Sequence, residues 1–207
     1  MKGQTFSERA VNLKFKIINK IYLFITKTII LEEGKKLLVS QMRKTIYQGK
    51  YLTMSTEKIN GHLYERVSIR SGVRVLPIKN GKVLFIREFR KHEGRARLKL
   101  IGGWVDKENL TSLEIAQEEL REEVSYQAGN WEKFYTYQIP NGTIEEKVDY
   151  FIARDLTKLP SQHNPDNDIV EEIVFLDRAE LIEKLKKKEI LWDKDMAVVL
   201  MFFESLS

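Results

Sequence analysis

The sequence predicts an α+β protein in which a mixed β-sheet sandwich is flanked by helices and preceded by an amphipathic helical extension at the N-terminus. Short runs rich in β-branched and aromatic residues begin near residue 63 and are separated by turn signals. Later segments have helical periodicity behind capping patterns. These strands and helices do not alternate regularly, which argues against a purely parallel sheet built from βαβ units.

The first 50 residues differ in charge from the rest of the chain. They contain 11 Lys and Arg against 3 Asp and Glu (11 − 3 = +8), whereas 51–207 contain 24 against 27 (24 − 27 = −3). Apolar residues at positions 17, 18, 21, 24, 25 and 29 have the spacing of an amphipathic helix. We therefore predict a basic amphipathic extension over 1–50 and a folded body over 51–207.

Two roles are open for this extension. Its apolar stripe can pack on the body or on a second subunit, or it can lie on an anionic membrane surface. The longest uncharged run, 21–26, is far shorter than the roughly 18–20 residues of a membrane span. Because the positive charge is confined to the extension, we expect no nucleic-acid surface on the body. The polar stretch 48–61 is interpreted as a connector.

The strands of the body are bounded by turn residues. Asn80-Gly81 separates two apolar runs and predicts a hairpin. Pro140-Asn141-Gly142 predicts a further turn. The predicted strands are 63–70, 73–78, 82–88, 97–101, 131–139, 147–153 and 170–176.

Three helices are predicted. Thr111 with Glu114 three residues later is a capping-box pattern, and it opens a helix over 111–125. Asp177 with Glu180 repeats the pattern before a second helix. A third helix is predicted over 195–204.

Composition limits the chemistry. There are no cysteines, which excludes a disulfide scaffold, a Cys-ligated metal centre and a thiol nucleophile, and fits a reducing, cytoplasmic location. The three histidines (His62, His92 and His163) are far apart in the sequence. A metal ion would therefore be held by carboxylates, which favours Mg²⁺, Mn²⁺ or Ca²⁺.

Five glutamates crowd the first predicted helix: Glu114, Glu118, Glu119, Glu122 and Glu123. Glu119 and Glu123 are four residues apart and share a face, as do Glu118 and Glu122. Like charges at this spacing destabilise a helix, and a hard divalent cation would relieve the repulsion. The alternative is a solvated acidic face.

The stretch 103–126 resembles the Nudix hydrolase box, G-x5-E-x7-R-E-U-x-E-E-x-G-U, where U is aliphatic. Gly103 takes the opening glycine, Glu119 the Glu of R-E, and Glu122-Glu123 the E-E pair. The segments 87–90, 98–106, 137–156 and 166–176 resemble, in the same order, motifs of the ADP-ribose pyrophosphatase and nucleotide-sugar hydrolase branch. This resemblance implies a Nudix-like hydrolase domain that cleaves the pyrophosphate bond of nucleoside diphosphates linked to a second group.

The resemblance also implies roles for individual residues. Glu119 and Glu123 would be the main ligands of Mg²⁺, or of Mn²⁺, with Glu122 assisting and the carbonyl of Gly102 as a further ligand. Glu122 and Glu123 would also take part in catalysis. Arg90, with Arg87, would contact the diphosphate of a small-molecule substrate. Gly142 is a further predicted substrate contact. In this branch a glutamate of the late loop acts as the base or as an extra metal ligand; the matching loop here offers Asp166 and Asp168, of which Asp168 is favoured. Members of the branch often pair as homodimers, which implies the same for this chain.

The box departs from the family pattern at three points. Glu118 stands where the family has arginine, Ser125 replaces the late glycine, and the loop after Gly103 is one residue longer. The usual Arg–Glu pair cannot form at Glu118. The alternative function is therefore a degenerate Nudix domain that binds a nucleotide or a protein partner without catalysis.

Overall fold

Two mixed sheets and three helices make up the described part of the chain in this computed structural model. The structure describes residues 26–29, 38–91, 93–139, 142–160, 170–190 and 193–206. These fall into two compact units. The N-terminal unit contains the described residues up to 69 together with 142–145, and the C-terminal unit contains those of 70–139 and 146–206. The predicted boundary at residue 51 stays a prediction.

The N-terminal unit is one sheet in the order β1-β2-β4-β5-β10, with β3 paired to β4. Asn60 and Gly61, both at positive φ, make the turn between β4 and β5, which pair along their full length. The strands are β1 (Thr26–Ile29), β2 (Leu38–Gln41), β3 (Lys44–Gln48), β4 (Leu52–Ile59), β5 (His62–Ile69) and β10 (Ile144–Glu145).

Two predictions for this unit are wrong where the structure describes them. The predicted N-terminal helix is instead strand at Thr26–Ile29, where two threonines and an isoleucine favour extended backbone and the strand pairs with β2. The rest of that helix lies outside the described residues. The predicted connector 48–61 contains β4, whose polar residues obscured a strand that is stabilised by pairing with β5.

The C-terminal unit is a mixed sheet in the order β12-β7-β6-β11-β9, with β8 paired to β7. β6 and β11 run parallel and the other pairs are antiparallel. The predicted hairpin at Asn80-Gly81 is present, with both residues at positive φ. The strands are β6 (Gly72–Lys79), β7 (Lys82–Arg90), β8 (Arg95–Lys99), β9 (Tyr126–Gln138), β11 (Lys147–Lys158) and β12 (Val170–Leu176).

Helices cover the sheet through two hydrophobic clusters. Both predicted capping boxes form, at Thr111 before α1 (Ser112–Val124) and at Asp177 before α2 (Arg178–Lys186), and Asp193 caps α3 (Lys194–Glu204). In one cluster, α1 packs on Leu84 and Ile86; in the other, α2 and α3 pack with Val83 and Phe85. Because side chains alternate along a strand, one face of β7 contacts α1 and the other contacts α2 and α3, and we call these faces its α1 side and its α2/α3 side. The predicted α+β sandwich is confirmed.

No helix among the described residues combines the length and the apolar character that crossing a bilayer requires.

Candidate active site

The acidic residues of α1 are positioned by its buried face. Ala116 and Leu120 are fully buried against the sheet, which fixes the rotation of the helix. Glu123 follows Leu120 by three residues and is only 9% exposed, whereas Glu119 is half-buried one turn earlier. The i, i+4 relation predicted for these two carboxylates therefore places both beside the sheet.

A glycine turn lies against these carboxylates. The backbone amide of Gly102 donates to Oε2 of Glu123 at 3.1 Å. Gly102 has φ +154°, and a Cβ there would lie 2.1 Å from the carbonyl oxygen of Val73. A Cβ on residue 103 would lie 1.9 Å from Oε1 of Glu119. Two consecutive glycines are thus what allows β6, the turn and the helix carboxylates to approach one another.

An ammonium group also reaches Glu123. Nζ of Lys99 lies 3.1 Å from Oε1 of Glu123 and 2.5 Å from Oε2 of Glu88, and Arg90 contacts the other oxygen of Glu88 at 2.7 Å. Burial raises the pKa of the Glu123 carboxyl above its usual value, against the opposing effect of Lys99. Burial also acts to raise the pKa of Glu88, but Lys99 and Arg90 outweigh it and hold that pKa below its usual value. Positive and negative side chains therefore alternate from Glu123 through Lys99 and Glu88 to Arg90, and the two carboxylates are buried.

Glu118, on α1, stands at the position of the family arginine. Its carboxylate is 28% exposed and pairs with the ammonium of Lys107, and this hydrogen bond raises the pKa of Lys107. Glu122 and Glu119 act in the same direction through their charges. The missing arginine is therefore not replaced at this position, and the cation beside Glu123 comes from Lys99 on β8 instead.

Arg74 was not singled out from the sequence. Its side chain packs beside Gly102, and its Nε donates to Oδ2 of Asp195 at 3.0 Å. The hydroxyl of Tyr150 donates to the other oxygen of Asp195 at 2.5 Å. The position of Arg74 as a lone charge inside the apolar strand 73–78 was the available signal. Asp195, the second residue of α3, thus orients Arg74 next to the glycine turn.

The structure does not bring all the predicted residues together. Arg87 lies on the α2/α3 side of β7, where it pairs with Glu172 at 2.9 Å, whereas Arg90 shares the α1 side with Glu88. Gly142 belongs to the N-terminal unit, and its carbonyl accepts from Arg66 at 2.7 Å. Asp168 lies outside the described residues. The residues that meet are Gly102, Glu119, Glu123 and, through Glu88, Arg90.

The oxygen atoms at this turn are of the ligand type that a hard divalent cation prefers. Two carboxylates, on Glu119 and Glu123, lie at a backbone turn that can add a carbonyl ligand, and oxygen donors are what Mg²⁺ and Mn²⁺ prefer. Within the described residues, however, no three His, Asp or Glu side chains converge as a metal-binding group. Lys99 contacts Glu123, one of the two carboxylates at the turn.

The chain is similar to a known protein family and to individual known proteins. The sequence profile of the NUDIX domain matches residues 68–197. The ADP-ribose pyrophosphatase of Bacillus subtilis (strain 168) is 23% identical over 168 residues, which cover 78% of this chain and 90% of that protein. The methanol dehydrogenase activator of Bacillus methanolicus is 23% identical over 160 residues, covering 74% and 86%.

A solved structure of an ADP compounds hydrolase superposes with a TM-score of 0.69 at 19% identity. The match covers 84% of this chain and 97% of the solved one, which supports the same fold. The resemblance to the ADP-ribose pyrophosphatase branch is confirmed by the Bacillus subtilis relative. Since the profile spans more than half of the residues and includes the glycine turn and α1, the chain belongs to the Nudix family.

Proposed function

We propose that this protein hydrolyses nucleoside diphosphates linked to a second group, of the ADP-ribose or nucleotide-sugar type, between the two phosphates. The observation that carries the proposal is the placement of Glu119 and Glu123 at the Gly102-Gly103 turn. The similarity to the Bacillus subtilis ADP-ribose pyrophosphatase and to the solved ADP compounds hydrolase supports the same substrate class.

The residues of α1 and of the glycine turn have the role of binding the metal ion. Glu119 and Glu123, with Glu122 and the carbonyl of Gly102, would hold Mg²⁺ or Mn²⁺. When bound, such an ion neutralises phosphate oxygens and activates water. The helix and the glycine turn fix the carboxylates before substrate arrives, which lowers the cost of organising the site.

Two cationic side chains support binding of the diphosphate. The guanidinium of Arg90 is 41% exposed and can reach a ligand while Glu88 holds it. Arg74 keeps a second guanidinium beside the turn. Forked guanidinium groups match phosphate oxygens better than ammonium groups do. Roles for Arg87, Gly142 and Asp168 stay proposals, with Asp168 as the base.

A degenerate, non-catalytic domain is the second candidate. The contact of Lys99 with Glu123 and the glutamate at position 118 both favour it, because each changes the charge expected around the metal ligands. The proximity of the carboxylates to the glycine turn favours the hydrolase.

A substrate panel separates the two. Phosphate-containing products would be measured for ADP-ribose, nucleotide sugars and dinucleotides, with Mg²⁺ and with Mn²⁺. Metal-dependent turnover that Glu123→Gln abolishes, and that Glu118→Gln retains, would establish the hydrolase. If folded protein turns over none of these compounds but its melting temperature rises with one of them, the binding domain is the better description.

We further propose that the N-terminal unit pairs two copies into a homodimer. Its sheet exposes large apolar side chains, among them Ile46 and Leu63, each 60% exposed, together with Tyr47 and Met54. Such side chains are typical of an interface. A monomer mass, measured by light scattering at micromolar concentration, would contradict the proposal. Flotation with anionic liposomes would instead indicate peripheral membrane contact.

A further inference from the structure

Lys99 is placed at the carboxylates by the sheet register. It is the last residue of β8 and lies opposite Ile86 of β7, so its side chain emerges on the α1 side. Glu88 is two residues beyond Ile86 on the same side. Glu123 reaches the same point from α1. Strand register and helix rotation therefore direct one ammonium and two carboxylates to one half-buried place.

This ammonium has limited access to solvent. The Lys99 side chain is 25% exposed, and the two carboxylates it contacts are 5% and 12% exposed. A charged group in such surroundings is stabilised only by its partners, and the partners depend on it equally.

We propose that Lys99 is a tethered counter-ion that competes with the divalent cation for Glu123. This inference rests on the proposed function, because it concerns the ion that the hydrolase would use. A cation that binds Glu123 has to displace the ammonium or share the carboxylate with it. In either case the positive charge of Lys99 disfavours the incoming ion, so the affinity of the free protein for metal is reduced.

The same contact makes the folded state independent of metal. Without Lys99, the buried carboxylates of Glu123 and Glu88 would lie close together, which is unfavourable even though Arg90 contacts Glu88. Lys99 supplies one positive charge that both can share. The protein can therefore keep its acidic helix in place before any metal arrives.

Binding of Mn²⁺ to the full-length protein tests the proposal. Free Mn²⁺ would be measured by electron paramagnetic resonance for the native protein and for Lys99→Met. We expect Lys99→Met to tighten the dissociation constant by at least about tenfold. Lys194→Met is the matched control, since Lys194 is also 25% exposed and also pairs with a largely buried glutamate, Glu146. Its dissociation constant should stay within about twofold of the native value.

A second variant keeps the proposal testable if Lys99→Met does not fold. Removing Lys99 alone leaves two carboxylates without their shared ammonium, whereas Glu88→Gln with Lys99→Met removes one of them as well. This double variant should be folded by circular dichroism and should also bind Mn²⁺ more tightly. Adding Glu123→Gln to it should cancel the gain.

The outcomes separate this inference from the proposed function. Equal Mn²⁺ affinity in the native protein and both Lys99 variants, with turnover retained by the native protein, overturns the role of Lys99 and leaves the hydrolase standing. Absence of Mn²⁺ binding in every variant, with no turnover of the substrate panel, overturns both. Tighter binding in the Lys99 variants supports the counter-ion even if the native protein proves inactive.

Discussion

Oε1 of Glu119 lies so close to Gly103 that a Cβ on residue 103 would be 1.9 Å from it. The adjacent Gly102 has a different neighbour, because a Cβ there would be 2.1 Å from the backbone oxygen of Val73. A carboxylate can rotate away from an added methyl group, whereas the backbone of β6 cannot. The two glycines are therefore required for different reasons, one for the site and one for the fold.

Alanine substitution at the two glycines should separate these requirements. Gly103→Ala should displace the Glu119 carboxylate and reduce kcat/KM by at least about tenfold, with a melting temperature close to the native value. Gly102→Ala should lower the melting temperature strongly, because strain at φ +154° adds to the backbone clash. Thermal melts and steady-state kinetics check both. A strongly destabilised Gly103→Ala with normal kcat/KM would contradict this assignment.

Neutralising the carboxylates at the turn should remove turnover. Glu119→Gln and Glu123→Gln should each reduce kcat by about a hundredfold or more, since each deletes a charged oxygen of the proposed metal site. Glu118→Gln is the control on the same helix and should stay within about threefold, because Glu118 faces Lys107. Circular dichroism would verify that all three variants fold. Full activity in both Glu119→Gln and Glu123→Gln would remove these residues from the metal site.

Ser125→Gly should stabilise the protein. Ser125 ends α1 in the left-handed conformation at φ 54°, which a glycine adopts without strain. Its hydroxyl is also buried without a hydrogen-bond partner within the described part of the chain. Relief of both costs should raise the free energy of unfolding by about 1 kcal/mol in urea denaturation.

The variant Ser125→Ala serves as the control for that prediction. It removes the hydroxyl but keeps a side chain in the left-handed conformation, so its gain should be smaller than that of glycine. Equal gains would assign the whole effect to the hydroxyl, and a loss of stability in both variants would contradict the interpretation.

Asp149 should contribute stability that disappears in acid. Burial acts to raise its pKa, but hydrogen bonds from Lys133 and Thr136 outweigh burial and lower it. Because the folded pKa lies below the unfolded one, the contribution is complete above about pH 4 and is lost as pH falls through the folded pKa. Asp149→Asn should therefore lower the free energy of unfolding by about 1–2 kcal/mol at pH 7. This difference from the native protein should become smaller below about pH 4.

Urea denaturation at several pH values measures this dependence. Glu132→Gln is the control, because Glu132 is an exposed residue of β9 that pairs with Arg154 on the surface. Its effect should stay below about 0.5 kcal/mol. A deficit of Asp149→Asn that is constant from pH 7 to pH 3 would count against the assignment.

The C-terminal unit was more predictable than the N-terminal one for a physical reason. Its elements are bounded by local signals, such as the Asn80-Gly81 turn and the Thr111 capping box, which act without distant contacts. β4 ends at a turn of the same kind, Asn60-Gly61, but its own residues are mostly polar, and its pairing with β3 and β5 stabilises it as a strand. The sequence therefore predicted the C-terminal unit well, whereas in the N-terminal sheet it predicted β5 and missed β4.

The candidate site also has features that the sequence predicts and features that it does not. The spacing of Glu119 and Glu123 on a helix is local and could be read from the sequence. The contact of Lys99 with Glu123 depends on the register of β8 against β7 and on where α1 packs, neither of which the sequence states. The separation of Arg87 from Arg90 follows from strand alternation and could have been predicted from their odd and even positions.

The parallel pairing of β6 with β11 has a consequence during synthesis on the ribosome. Gly72 pairs with Val148, so the centre of this sheet stays incomplete until the chain beyond that valine has emerged. By then α1 and the glycine turn have already been translated. The nascent chain thus carries its cluster of glutamates for many residues before the sheet that positions them is complete.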